Sequence, residues 1–351
     1  MAGIRSLFIA GAIVAGLGAG YPALAQPAQS QKVVADGRTI RIQSYPGNVT
    51  AYLAWWVAAD KGFCKDHGLK CEFVPLASGP LGIQSLLSGS IDIAAAFTEV
   101  VISAVAKGAD IQIIGSSHPN KVTTLSVSTD VPMPNKGSGY PAVMKDIKGK
   151  RIGVTVRGSA VELQTKALLV GAGLSPDDVT FVAVGSPGTA YAALVAKQID
   201  GAMMFQPFKA ICEVQRTCVT AVDLSKGEGP DDLRALNGAV EYVAATRKFI
   251  ESNPVVVNAL IQALEDSVRW IKNPANAAEV LQVMKNNYQI SKDIANGDAV
   301  MAELARSEAA GAGATIDRNA VKAYADYMLK YKLIDKPVET GDLVYKNAPR
   351  P

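Results

Sequence analysis

KRIGVTVRGSAVELQTKALL, Lys150 to Leu169, is the stretch that decides how the rest of the chain is read. Ile152, Val154 and Val156 alternate in a β-branched run that predicts a short strand. Leu163, Ala167 and Val170 then recur at helical spacing. Between the two, Arg157-Gly158-Ser159-Ala160 must turn a strand sharply into a helix. Gly158 permits close backbone approach and Ser159 is a favoured N-cap. The first N–H groups of such a helix lack intrahelical partners and carry the positive end of the dipole, so the turn suits an anion. Arg157 beside it would add a fork of charge-assisted donors. A capped helix with a solvated Arg is the simpler account of this turn taken alone. Recurrence of the same device at other strand ends is what points to a site.

On both sides of this stretch, apolar strands and amphipathic helices alternate. Towards the N-terminus, residues 26–37 read as a loose leader. Strands are expected at 40–42, 70–76, 91–96 and 111–115, with helices at 51–66, 81–87 and 100–107, and one further strand at 123–129. A Pro/Gly-rich crossing without periodicity, 131–141, forms a natural boundary. A second alternating set follows, with strands at 151–156, 179–184, 199–204 and 218–223 and helices at 160–171, 188–197 and 207–215. A strand at 239–245 comes next, and the chain then reads as helical to about 331. This rhythm predicts α/β architecture, a mostly parallel sheet covered by helices in each of two blocks.

The N-terminus reads as an address rather than as fold. Arg5 gives a basic start, Leu7 to Gly20 is apolar, and Ala23-Leu24-Ala25 is an A-x-A cleavage signature. Residues 1–25 are therefore expected to be a signal peptide cleaved after Ala25, and the mature chain to act outside the inner membrane, in the periplasm. The mature chain of about 325 residues is long enough for two domains. It carries 34 basic against 32 acidic side chains with no basic stripe, which excludes nucleic acid as a natural partner. The four cysteines form two local pairs. In an exported chain they point to the disulfides Cys64–Cys71 and Cys212–Cys218, although four cysteines allow three connectivities. A metal site is disfavoured, because neither pair has C-x-x-C spacing or a neighbouring His.

In open α/β sheets, ligands bind beyond the carboxyl ends of the strands. The turns expected there are Tyr45-Pro46-Gly47, Ser78-Gly79-Pro80, Phe97-Thr98-Glu99 and Ser116-Ser117-His118 in the first block. Arg157-Gly158-Ser159, Gly185-Ser186-Pro187 and Phe205-Gln206-Pro207 follow in the second. Backbone N–H groups and hydroxyls would hold a polar head, while Tyr45, Phe97 and Phe205 would wall an apolar body. His118 is a candidate donor to a ligand, against the commoner role of a structural His. Glu99 either faces a ligand amine or hydroxyl or caps the helix that starts there. His67 and the pair Trp55-Trp56 read as structural. The chain has no G-x-S-x-G, H-E-x-x-H, Walker or G-x-G-x-x-G signature, so a binding role without cofactor is expected rather than catalysis.

Five segments carry a resemblance to a known family. They are Ala59-Asp60-Lys61-Gly62-Phe63, Leu86-Leu87-Ser88-Gly89-Ser90-Ile91-Asp92-Ile93-Ala94, Asp146 to Val154 with Arg157-Gly158-Ser159, Gly173 to Val179, and Gln198-Ile199-Asp200-Gly201-Ala202 through Gln206-Pro207. Their order, across about residues 38–270, resembles the periplasmic solute-binding proteins of ABC importers, in the group that binds sulfonates, taurine, nitrate and thiamine precursors. The resemblance implies a two-lobed periplasmic-binding-protein fold of type II. Lobe I would be 36–128 plus 241–331 and lobe II 129–240, with a ligand closed between them. It maps ligand-facing positions onto Tyr45, Gly79, Thr98, Arg157, Gly158, Ser159 and Gln206. The chain departs from the pattern at Phe205-Gln206-Pro207, where sulfonate binders often carry a Trp and an acid, and Glu99 is unexpected beside an anion.

The expectation is therefore reversible capture of a small organic anion, sulfonate or carboxylate, by a monomer that delivers it to an ABC permease in the inner membrane. A thiamine-type pyrimidine or an aromatic acid is the alternative ligand. An enzyme on the same frame, such as a thiamine-pyrimidine synthase, is the rival of another class. The synthases' cysteine-rich cluster and cofactor-bearing lysine are not matched by these four dispersed cysteines.

Overall fold

The computed structural model describes residues 34–45 and 49–351. The expected signal peptide, and Pro46-Gly47 of the first turn, lie outside the described residues. Ten strands define the frame: β1 (Arg38–Ser44), β2 (Leu69–Pro75), β3 (Ala94–Phe97), β4 (Ile111–His118), β5 (Thr124–Ser128), β6 (Arg151–Val154), β7 (Thr180–Ala183), β8 (Gly201–Met204), β9 (Cys218–Asp223) and β10 (Glu241–Thr246). The helices between them are α1 (Val49–Asp60), α2 (Phe63–Asp66), α3 (Gly79–Leu87), α4 (Thr98–Ala106), α5 (Ala160–Gly171), α6 (Pro187–Val195), α7 (Phe208–Gln215) and α8 (Asp231–Arg234). A helical run closes the chain: α9 (Arg247–Ser252), α10 (Pro254–Ile271), α11 (Ala277–Asn287), α12 (Gly297–Gly311) and α13 (Arg318–Lys330).

The strands gather into two lobes of the same plan. In the first, β1 and β2 pair in parallel, a bridge from Ile42 to Ile93 sets β1 beside β3, and β10 runs antiparallel between β3 and β4. In the second, the order is β7-β6-β8-β5-β9, with β5 antiparallel between β8 and β9. The antiparallel strand of each lobe is thus the segment that enters it from the other. This corrects the expected boundary: β5 was placed in lobe I by its position in the sequence, but it pairs in the second sheet, so the crossing precedes residue 124. Strand alternation identifies a strand without naming its partner, and a chain that leaves one sheet can end by pairing in the next.

Two further expectations change. The helix predicted over 51–66 breaks at Gly62, whose φ of +83° ends α1 and starts α2. The irregular C-terminal segment beyond α13 returns to the first sheet, where Val344 bridges Ile113. As expected, Trp55 packs inside the core; it is fully buried on α1, next to Tyr52, whose hydroxyl donates to the Ala95 carbonyl at 2.9 Å.

The Ile-Asp pairs at 91–92 and 199–200 also have a structural account. Each aspartate clamps the arginine that opens or lies in the neighbouring strand: Arg41 with Asp92 at 2.9 and 3.0 Å, and Arg151 with Asp200 at 2.8 and 3.1 Å. In both, the backbone N–H of the arginine also donates to that aspartate. The bidentate geometry fixes strand neighbours in each lobe, away from any cleft.

Disulfides join Cys64 to Cys71 and Cys212 to Cys218, tying α2 to β2 and α7 to β9. Closing such short loops gives about 2 kcal/mol each by restricting the unfolded chain. The double variant Cys64→Ser/Cys71→Ser is expected to lose about 2 kcal/mol in urea unfolding under oxidising conditions. Added reductant should lower the wild type and leave that pair's contribution in the variant unchanged.

Candidate functional site

The site lies where the carboxyl ends of β1, β3 and β8 approach one another from the two lobes. Tyr45 follows β1, Phe97 ends β3, and Phe205 follows β8. Phe205 reaches across from the second lobe to place its ring 6.1 Å from Tyr45 and 5.6 Å from Phe97. The Tyr45 hydroxyl donates to the Gly185 carbonyl of the second lobe at 3.3 Å. These contacts close the lobes on a cavity of about 30 Å³, about the space of one water molecule. Admitting a larger guest requires Phe205 to swing aside or the lobes to part.

Three helices start at this cavity. Its lining includes Gly79 and Pro80 from the first turn of α3, Phe97 and Val100 from the start of α4, and Ser159, Ala160 and Val161 from the start of α5. The positive ends of three helix dipoles therefore meet at one place. Ser78 caps α3, accepting from the Leu81 N–H at 3.3 Å, whereas α4 and α5 have no side-chain cap. Ser159 stands at the N-cap position as its residue type predicts, yet its hydroxyl is buried with no hydrogen-bond partner. A buried hydroxyl left unpaired costs about 1–3 kcal/mol, and a ligand oxygen would relieve that cost. Gly79 sits here because the space is full: a Cβ on it would lie 3.0 Å from the Ala96 methyl.

Among the described residues, no carboxylate, His, Cys, Lys or Arg lines the cavity. Tyr45 is its one ionisable group, and burial raises that phenol far above its ordinary value, leaving a neutral donor. Gln43 completes the wall. Its amide donates to the Ser78 carbonyl at 3.1 Å and accepts from the Ala95 N–H at 3.2 Å, so it fixes α3 against β3.

Of the sequence candidates, Tyr45, Gly79 and Ser159 line the cavity. The others are elsewhere. Arg157 is largely exposed and donates to Glu162 at 3.0 Å, and the Gly158 N–H donates to the same carboxylate at 2.8 Å. The anion at that turn is thus the protein's own Glu162, which Lys166 also pairs at 2.7 Å. Gln206 accepts from the Ala210 N–H at 3.1 Å and serves α7. Thr98 donates its hydroxyl to the Ala239 carbonyl. Glu99 is fully buried one step beyond the cavity, accepting from Gln164 of α5 at 2.8 Å with the Lys121 ammonium at 3.5 Å. Lys121 also donates to the Tyr324 hydroxyl at 2.8 Å, and Thr123 donates to Gln164 at 2.6 Å. Burial lowers the Lys121 pKa, and Glu99 beside it opposes that shift.

His118 does not line this cavity: it lies across Glu241 of β10 from Phe97, packed so tightly that a Cβ on Gly311 would fall 1.7 Å from its Nε2. Glu308 faces it at 4.0 Å, too far for a hydrogen bond. Burial holds His118 down to about 4 and pushes Glu308 up to about 7. The residues that position alone did not mark, Gln43 and Thr155, sit inside strand runs or just past a strand end, where nothing local separates a cavity-facing polar group from a core one.

A sequence profile of the family described as NMT1/THI5-like matches residues 49–277. A protein of Brucella abortus (strain 2308), provisionally named a binding protein, is 26% identical over 255 residues, 70% of this chain and 72% of that one. Among solved structures, the alkanesulfonate-binding protein SsuA from Xanthomonas axonopodis pv. citri, bound to MOPS, matches with a TM-score of 0.69 at 20% identity. That match covers 88% of this chain and 98% of the other. The periplasmic nitrate-binding protein NrtA from Synechocystis PCC 6803 matches with a TM-score of 0.66 at 14% identity, over 88% and 86% of the two chains. At these identities the likeness is one of fold, and the fold is that of the periplasmic binding proteins.

The buried pair yields a pH prediction. Glu308 has a folded pKa above its ordinary 4.5, so its contribution to stability is present below that value and is lost as pH rises to about 7. His118 has a folded pKa below its ordinary 6.5, so its contribution is present above that value and is lost as pH falls to about 4. Glu308→Gln removes the first dependence only. Relative to wild type, the variant is expected to gain on the order of 3 kcal/mol of stability between pH 4.5 and 7.5, read by urea unfolding.

Proposed function

The chain belongs to the NMT1/THI5-like family, and from that premise we propose that it is the solute-capturing component of an ABC importer. It is exported to the periplasm, binds a small organic anion between its lobes as a monomer, and hands it unchanged to a permease in the inner membrane. The ligand is a sulfonate or carboxylate. Its charged head sits where α3, α4 and α5 begin, beside Ser159, and its apolar body lies against Tyr45, Phe97 and Phe205. The observation that carries this reading is the meeting of three helix N-termini and one unpaired buried hydroxyl in a cavity without charged side chains. Such a cavity has donors for a negative head and no counter-charge that a neutral guest would strand.

Each helix end contributes about 0.3–2 kcal/mol to holding an anion. Micromolar binding requires about 8 kcal/mol, so the aromatic walls must contribute as well, and nitrate, which has no body to bury, should bind weakly. Release follows from opening, because parting the lobes separates Phe205 from Tyr45 and Phe97 and withdraws α5 from the other two helix ends. The lining offers no general base or paired nucleophile, which supports binding without turnover. The sulfonate and nitrate binders among the fold's neighbours support the anion as ligand class.

Titration calorimetry with benzenesulfonate, benzoate, butanesulfonate, nitrate and an aminopyrimidine tests the proposal. An organic sulfonate or carboxylate should bind one to one, with Phe205→Ala weakening it about tenfold and Ser159→Ala about fivefold. Binding of the pyrimidine alone, or conversion of any of these compounds, would refute it.

A further inference from the structure

Next to the inner cavity, and sharing Pro80 and Val100 with it, a groove of about 510 Å³ runs between α3 and α4. Ile83 and Leu87 of α3 and Val100 and Ala104 of α4 make its apolar wall. Its opposite rim is the turn at Arg157 and Gly158, and the very next residues of that turn, Ser159 and Ala160, line the inner cavity. The two spaces are adjoining compartments of one seam between the lobes. Leu87 remains 48% exposed within this wall. Groove residues extend along α4 from Val100 to Gly108 just past its end, and a helix of that length spans about 13 Å. Gln84, Ser103, Lys107 and Asp110 bring polar and charged groups to the groove, with Arg157 at its rim, and the greater part of its surface is hydrocarbon.

We propose that this groove is the tail compartment of the ligand site, so that the natural ligand is an elongated organic anion. Its acidic head enters the inner cavity, and its hydrocarbon tail passes Pro80 and Val100 to lie along α3 and α4. The inference rests on the reading of the inner cavity as the head site. It adds that selectivity among organic anions is set outside that cavity, by chain length. The occupant is the tail of the same ligand because the groove continues from the cavity across shared residues.

A series of linear alkanesulfonates from butane- to octanesulfonate, titrated into the mature protein, reads this directly. Each methylene buried in the groove should tighten binding by up to about fourfold, so octanesulfonate is expected to bind on the order of tenfold to a hundredfold more tightly than butanesulfonate. Ala104→Trp, which fills the groove, should flatten the series. Leu87→Asp, an exposed position whose substitution spares the core, should reduce the preference for octanesulfonate about tenfold. Thermal melts confirm that both variants are folded. If butanesulfonate binds and octanesulfonate binds no better, or if both variants keep the wild-type dependence on length, the tail compartment is wrong while the head site stands. If no member of the series binds and a compact anion such as benzoate does, the tail compartment is again wrong. If no organic anion binds at all, the reading of the inner cavity falls and this inference falls with it.

Discussion

A buried carboxylate sets the constraint on which the geometry between the lobes depends. Glu99 stands in the first turn of α4 with no exposure to solvent, and an ionised carboxylate so placed must be compensated by the groups around it. Its partners come from outside its own lobe: Gln164 from α5, and Lys121 from the crossing, itself held by Tyr324 of α13. Pairing one oxygen of this carboxyl group thus brings the start of α4 against α5 and fixes the crossing between them, while its Oε2 is left buried without a hydrogen-bond partner. Because both helices begin at the cavity, the same contacts aim two of its three helix N-termini.

This arrangement separates structural charge from ligand charge. Most of the conspicuous ionic motifs are used to hold the frame. Arg41 with Asp92 and Arg151 with Asp200 clamp neighbouring strands, and Glu162 neutralises the Arg157 turn from within. What faces the cavity is neutral: an unpaired serine hydroxyl, an amide tied to the backbone, a phenol and two phenyl rings. On the proposed reading, a site made of dipoles and apolar walls would attract an anion without a fixed countercharge that holds it too tightly to release, and lobes that part would remove the dipoles together.

The reciprocal exchange of strands gives the lobes a shared mechanical basis. Each contains one antiparallel strand, β10 or β5, contributed by the segment that crosses from the other. The crossings, residues 119–123 and 224–240, are therefore built into the sheets at both ends. Helices α9 to α11 pack on the first lobe, where Val344 also joins the sheet, while α12 packs against α7 of the second lobe as well as α1 of the first.

The sequence by itself determined the element pattern, because strand alternation and helical spacing are local. It marked Cys64/Cys71 and Cys212/Cys218 as local pairs while leaving three connectivities open, and the fold, which brings each pair of Cα atoms to 6.1 and 5.2 Å, joins those two. It marked Tyr45, Phe97 and Phe205 as aromatics at strand ends, and Gly79 and Ser159 as helix starts. The direction in which each turn residue points could not be read from it. Arg157, Gly158, Thr98, Glu99, His118 and Gln206 occupy the right kind of position in the chain. Which of them meet a ligand is decided by partners 4 to 190 residues away, such as Glu162, Ala239, Gln164, Glu308 and Ala210. Position in the sequence assigns β5 to the first lobe, and the structure pairs it in the second sheet, because a strand's edges are alike until tertiary structure supplies the neighbour. Local chemistry sets what a residue can do, and long-range packing sets what it is left free to do.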